Sequence, residues 1–273
     1  MFSTIRILLL VGPVAILAAP VSAQSYPESV QRWIENCRDS RWHEDRQVVC
    51  EVRPIAVQPG DRRLDVDGRR NGGVRVTGWD RDSLAVFALV QVRARTTGEA
   101  NAMARAIRVA TDGRIRTEGT PSQGDRFGYA VSYHIFAPRR MNVLARTHNG
   151  GISVDGITGD IDIAAHNGSL SLQDVGGDVR GLTTNGAITL SLSGARWNGR
   201  GVDLQTTNGG VTLDIPERYN ARLETSTVNG GFHIDFPITL EGRIGRRLQT
   251  TLGEGGPLVR VMTTNGPVRL RRV

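Results

Sequence analysis

Gly150, Gly159, Gly168, Gly177 and Gly186 fall every nine residues, and each opens a short unit of glycine, any residue, apolar, any residue, apolar. A fixed period of this kind signals a stack of similar units, none of which can bury its apolar face alone, so the chain is expected to form a continuous β array. Two such halves make a unit of 18, because Asn-Gly recurs at Asn149, Asn167 and Asn185, and again at Asn208, Asn229 and Asn265. Aligned this way, Ile152, Leu170, Ile188 and Val211 form one apolar column and Val154, Leu172, Leu190 and Leu213 a second, with Ser153, Ser171, Thr189 and Thr212 between them. Period-two alternation puts apolar groups on one face of a strand and hydroxyls on the other.

Two backbone paths satisfy the pattern. In a right-handed, two-sheet β-solenoid of about 18 residues per coil, residue i stacks on its counterpart about 4.8 Å away in the next coil, and Asn-Gly marks a corner. In an antiparallel β-meander or sandwich, Asn-Gly is a tight hairpin turn that pairs Ala165 with Leu170 and Ile163 with Leu172. The columns returning at 18 favour the solenoid.

The first residues carry a compartment signal. Met1 to Arg6 bears one positive charge, Ile7 to Leu17 is an apolar run broken by Gly12 and Pro13, and Val21-Ser22-Ala23 supplies the small residues of a cleavage site after Ala23. The run is shorter than the roughly 20 residues of a membrane span, and no later stretch approaches that length. The expectation is a soluble exported chain, periplasmic or secreted, without an integral membrane segment. In an oxidising compartment the two cysteines, Cys37 and Cys50, would join, closing a loop worth about 3 kcal/mol. Val30, Trp33, Ile34 and Cys37 share one face of a helix expected from Ser25 to Cys37. Strands are expected from Leu64 to Ala94, a short helical insertion around Ala100, Met103, Ala104 and Ile107, and strands again at Ile115 and from Tyr129 to Phe136. The organisation that follows is a signal peptide over 1–23, a disulfide-linked N-terminal cap over 24–60 and a β-strand-repeat domain over 61–273.

The strand ending in Ala137-Pro138, followed by tandem Thr-x-Asn-Gly-x-Ile-x-Leu units, resembles a bacterial β-strand-repeat family of unknown function catalogued as a candidate adhesin domain. The resemblance covers roughly residues 62 to 273. It implies a secreted, solenoid-like fold and brings no catalytic residues with it, and a fold analogy does not establish function.

The formal net charge of +7 and a pI near 10.5 invite a nucleic-acid reading, but the distribution argues against it. The balance is −1 over 24–60, +6 over 61–145, −4 over 146–240 and +5 over 241–273, so the regular repeats are acidic and the flanks basic. Arg246, Arg247, Arg269, Arg271 and Arg272 form a basic end that could meet an anionic envelope polymer or lipid surface. Asp155, Asp160, Asp162, Asp174 and Asp178 could line a polysaccharide-cleaving groove, but Asp beside Gly is also ordinary turn chemistry. His148 and His166 occupy equivalent places and should stack; no third ligand accompanies them, so no metal is expected. There is no G-x-S-x-G elbow, phosphate loop or H-E-x-x-H motif, and no catalytic residue or cofactor is assigned.

Specificity is sought where the beat is broken, because insertions become loops on a constant frame. Asn185 to Asn208 spans 23 residues, with the excess around Arg196, Trp197 and Arg200, and Asn208 to Asn229 spans 21, with the excess near Tyr219. Arg196, Trp197, Arg200 and Tyr219 are therefore the candidate ligand-binding residues; Trp197 could stack on a sugar ring or fold back over the array. The outward hydroxyls Ser153, Ser169, Ser171, Thr189, Ser191 and Thr212 would form a flat polar face able to bind glycan or water. These features point to an exported, non-catalytic binding or structural module of the cell envelope, with an envelope glycan or surface protein as partner. A polysaccharide-active enzyme and an envelope signalling accessory are the alternatives.

Overall fold

The computed structural model describes residues 26–39, 46–57, 62–119, 128–237 and 245–273; the expected signal peptide lies outside them. In chain order the elements are α1 (Glu28–Asp39), β1 (Gln47–Ile55), β2 (Arg63–Asp67), β3 (Val74–Trp79), β4 (Ala85–Ala94), α2 (Thr97–Ala106), β5 (Arg108–Ala110), β6 (Ile115–Glu118), β7 (Gly128–Pro138) and β8 (Asn142–Asn149). The repeats supply β9 (Ile152–Asp155), β10 (Thr158–Asn167), β11 (Leu170–Gln173), β12 (Gly176–Asn185), β13 (Ile188–Ser191), β14 (Gly201–Asn208) and β15 (Val211–Ile215). The chain closes with β16 (Ala221–Asn229), β17 (Phe232–Ile234), β18 (Arg247–Leu252), β19 (Leu258–Asn265) and β20 (Val268–Arg272).

These strands form two large mixed sheets of ten, ordered β1-β4-β7-β3-β9-β11-β13-β15-β20-β17 and β18-β16-β19-β14-β12-β10-β8-β2-β6-β5. The expectation of a right-handed solenoid is overturned. A solenoid needs each coil to pair in parallel with the next along the chain, whereas β1, β4 and β7 run antiparallel, as do β16 with β18 and β5 with β6. Chain order also breaks at the far end, where β19 lies between β14 and β16 and β20 lies between β15 and β17. The Asn167-Gly168 hairpin is absent too: Ala165 faces Thr147 and Thr183, and Leu170 faces Ile152 and Ile188. The apolar columns thus pair at a spacing of 18, in parallel, within the middle of two open sheets.

The core lies between the sheets. Leu170, Leu172, Ile188 and Leu190 of one sheet are at most 1% exposed, as are Ile161, Ile163 and Leu204 of the other. Each such side chain contributes about 1.5–3 kcal/mol of hydrophobic stabilisation, offset in part by the entropy of ordering it. At the corners the backbones pass so closely that a Cβ built on Gly168 would stand 1.9 Å from the carbonyl oxygen of Gly150. Two polar rows tie the corners together. Asn149 donates its side-chain amide to Asn71, Asn167 to Asn149, Asn185 to Asn167, Asn208 to Asn185, Asn265 to Asn208 and Asn229 to Asn265, all within 2.7–2.9 Å. Behind them run Thr147, Ala165, Thr183, Thr206, Thr263 and Thr227 in register. Each threonine hydroxyl donates to a neighbouring corner carbonyl: Gly72, Gly168, Gly186, Gly209 and Gly266 respectively. Ala165 is the one gap in that row.

The helices cover sheet surface. α2 opens on a capping box between Thr96 and Glu99, packs against β4 and β1, and ends where the Arg53 guanidinium donates to the carbonyls of Ala104 and Ile107 at 2.7 and 2.6 Å. α1 lies against β1 and is joined to it by the Cys37–Cys50 disulfide. Val30 on α1 is fully buried, and Tyr26 meets Phe87 edge to face at 5.8 Å.

Candidate functional site

The outer face of the first sheet carries a row set by strand register: His134 beside Arg75, then Ser153, Ser171, Thr189, Thr212 and Arg269. Toward the strand starts the neighbouring positions are Gly73 and Gly151, whose missing side chains leave a trough, and beside them the Ser132 Oγ accepts from the Gly73 N–H at 3.0 Å. Trp33 of α1 and Leu89 of β4 wall this trough on one side. The result is a cleft of about 270 Å³. Its floor and rim offer the hydroxyls of Ser153, Ser169 and Ser171, the exposed guanidinium of Arg75 and the imidazole of His134.

His134 is held neutral. Burial, with a smaller contribution from the Arg75 charge, lowers its pKa to about 4, and its Nδ1 is buried without a hydrogen-bond partner. The cleft therefore presents one cation, the Trp33 indole, a neutral imidazole and a line of hydroxyls, and no carboxylate lines it. Among the described residues no hydrogen bond joins a serine hydroxyl to the His134 Nδ1.

Ser153, Ser169 and Ser171 of the expected polar face line the cleft, whereas the candidate ligand-binding residues of the two insertions lie elsewhere. Trp197 is 3% exposed and donates its Nε1–H to the Gly177 carbonyl at 3.0 Å, so the insertion folds back and uses its ring to cover the array. Tyr219 is 3% exposed, and burial pushes its phenol up to about 12. The two insertions do meet: Arg196 bridges to Asn220, whose N–H donates to the Ala195 carbonyl at 2.8 Å. Arg196 and Arg200 face solvent, and Arg200 pairs with Asp178 at 2.7 Å and Asp160 at 3.4 Å. His148 and His166 stack at 4.6 Å, and no group of three metal-ligating side chains occurs among the described residues.

Four of the five aspartates are engaged: Asp162 meets Arg146 at 3.0 Å, Asp178 and Asp160 meet Arg200, and Asp174 accepts from the Ser193 hydroxyl at 2.6 Å. At the basic end Arg271 meets Asp214 at 2.7 Å, Arg247 meets Glu224, and Arg272 lies over the Phe236 ring at 4.2 Å. Sequence reasoning missed Arg75 and His134. Asn71-Gly72-Gly73-Val74-Arg75-Val76 matches Asn149-Gly150-Gly151-Ile152-Ser153-Val154 and would have placed Arg75 in the hydroxyl row; nothing local marks His134.

No protein-family model and no curated relative matches the chain. Among solved structures, a candidate cell adhesion protein from Clostridium sporogenes is similar at 10% identity and a TM-score of 0.40, over 83% of this chain and all (100%) of that one. A candidate adhesin from Bacteroides fragilis is similar at 11% identity and 0.34, over 83% of this chain and 97% of that one. A candidate lipid binding protein from Parabacteroides distasonis is similar at 9% identity and 0.33, over 81% and 96%. At such identities and TM-scores no function and no functional residue transfers.

Proposed function

We propose that the chain is an exported, non-catalytic binding module of the cell envelope, and that the cleft beside Trp33 takes a neutral, hydroxyl-rich ligand, a saccharide. In this reading residues 1–23 are the export signal, 24–60 a cap that supplies one wall of the site and 61–273 the frame. The carrying observation is the conjunction of Trp33 with the in-register serine hydroxyls and a neutral imidazole in a cleft lined by no carboxylate. Sugar recognition uses an aromatic surface for the ring and paired donors and acceptors for its hydroxyls. The Cys37–Cys50 bridge fits an oxidising compartment. The test is calorimetric titration of neutral oligosaccharides into the wild type and Trp33→Ala, with circular dichroism confirming that both fold. At least tenfold weaker binding by Trp33→Ala supports the reading. Saturable binding unaffected by the substitution, or none to any neutral saccharide, sinks it.

A further inference from the structure

A second cleft, of about 530 Å³, opens where β3 and β7 end and β8 begins. Arg62, Arg81, Arg139 and Arg140 line it, with Trp79, Asp80 and Asp82. Asp80 is committed to Arg139, whose Nε donates to it at 2.7 Å. Arg62, Arg81 and Arg140 are exposed, and among the described residues no carboxylate pairs with them. This contrasts with the repeats, where Arg146, Arg180 and Arg200 each meet an aspartate within 3.2 Å. Asp82 is exposed and leaves the lining with four guanidiniums against two carboxylates.

Two of the arginines, Arg81 and Arg139, are held in place. Trp79 is anchored by its Nε1–H to the Ser83 carbonyl at 2.8 Å, with Arg81 over its ring at 4.8 Å and Phe136 packed against it at 5.6 Å. The ring is thus occupied by Arg81 and Phe136, so Trp79 positions a cation and does not serve as a stacking platform for a ligand. Arg139 crosses Gly156 so closely that a Cβ there would stand 2.8 Å from its Nη1. The Arg62 carbonyl accepts from the Asn142 N–H at 2.9 Å, which ties the start of β2 to β8.

The geometry points to an anion-binding site for a phosphate group, distinct from the saccharide cleft. A guanidinium fork matches two oxygens of an oxyanion, and three unpaired forks exceed what one planar carboxylate accepts, whereas a tetrahedral dianion offers an oxygen edge to each. The group could be borne by a soluble phosphoester or by a lipid headgroup. Titration with glucose 1-phosphate and sedimentation with phosphatidic acid vesicles, each bearing a phosphomonoester, both at low salt, separate the two sources.

Arg62→Gln/Arg140→Gln is the test variant, Arg246→Gln/Arg269→Gln a control that removes the same charge elsewhere, and Trp33→Ala a control for the saccharide cleft. The expected result is saturable binding of one probe, at least tenfold weaker in the test variant, unchanged in Trp33→Ala, and weakening as salt rises through about 0.15 M, where screening shortens the field to about 8 Å. Binding of glucose 1-phosphate identifies a soluble ligand, and vesicle binding alone identifies a headgroup. An equal loss in both double variants, or no saturable binding of either probe, overturns the assignment.

Discussion

Replacing Thr183 by Val removes one hydroxyl and keeps the shape of a fully buried side chain. The hydroxyl donates to the Gly168 carbonyl at 2.7 Å across the corner. Losing a net hydrogen bond costs about 0.5–1.5 kcal/mol, and stranding the half-buried Gly168 carbonyl brings the cost to about 1–3 kcal/mol, so a loss of about 2 kcal/mol is expected. With a urea slope of about 3 kcal/mol/M for a chain of this size, the unfolding midpoint should fall by about 0.7 M at constant slope. The reverse change is Ala165→Thr, at the single gap in the same row and 6% exposed. There a new hydroxyl should donate to the Gly150 carbonyl and raise the midpoint by about 0.3 M, for a gain of about 1 kcal/mol. Equilibrium urea unfolding followed by far-ultraviolet circular dichroism reads both. Thr183→Val within about 0.3 kcal/mol of wild type, or Ala165→Thr less stable than wild type, would refute the claim that the threonine row holds the corners.

His134 supplies a pH test. Its folded pKa of about 4 lies below the usual 6.5, so its contribution is present in full above pH 6.5 and lost as pH falls toward 4. Because the ring is partly exposed, the full linkage value of about 3 kcal/mol is discounted by solvent screening to about 1–2 kcal/mol. His134→Gln should lose that much less stability than wild type between pH 7 and 4.5 in matched urea titrations; parallel losses would contradict the buried neutral imidazole. Gly168→Ala should cost about 3 kcal/mol, because its Cβ would press on the Gly150 carbonyl; a melting temperature within 2 °C of wild type, against an expected fall of roughly 6–12 °C, would show that the corner can relax. Cys37→Ser should cost about 3 kcal/mol of stability and weaken saccharide binding, since the bridge fastens the helix that carries Trp33; unchanged affinity would detach that wall from the site.

The parallel pairing of Leu170 with Ile188 and of Ser171 with Thr189 could be read in advance, because the period and the alternation are local facts of the chain. So could the disulfide. The order of neighbours could not. Thr207-Asn208, Val228-Asn229 and Thr264-Asn265 carry nearly the same corner, and nothing in such units says that Asn265 sits between the other two. That interleaving depends on β18 folding back antiparallel onto β16, a long-range choice with no periodic signature. The candidate site was half legible. The serines of its floor follow from register, but Trp33 arrives from a separate helix and His134 from a long strand whose partners are antiparallel on one side and parallel on the other. Trp197 was legible only as a choice between stacking outward and folding back over the array, and its burial with the bond to the Gly177 carbonyl gives the second.

The row of asparagines has a chemical consequence for the lifetime of the molecule. An asparagine followed by glycine is prone to deamidation, in which the glycine nitrogen attacks the side-chain carbonyl and expels ammonia. That attack needs the carboxamide to rotate, and inside the row Asn149, Asn167, Asn185, Asn208 and Asn265 are each clasped from both sides, donating to one neighbour and accepting from the next. Asn229 is held only through its donor, and Asn198, which precedes Gly199, stands outside the row. On prolonged storage, aspartate and isoaspartate should accumulate first at Asn198 and Asn229, and an aged sample mapped by mass spectrometry should show the clasped residues intact until the fold opens.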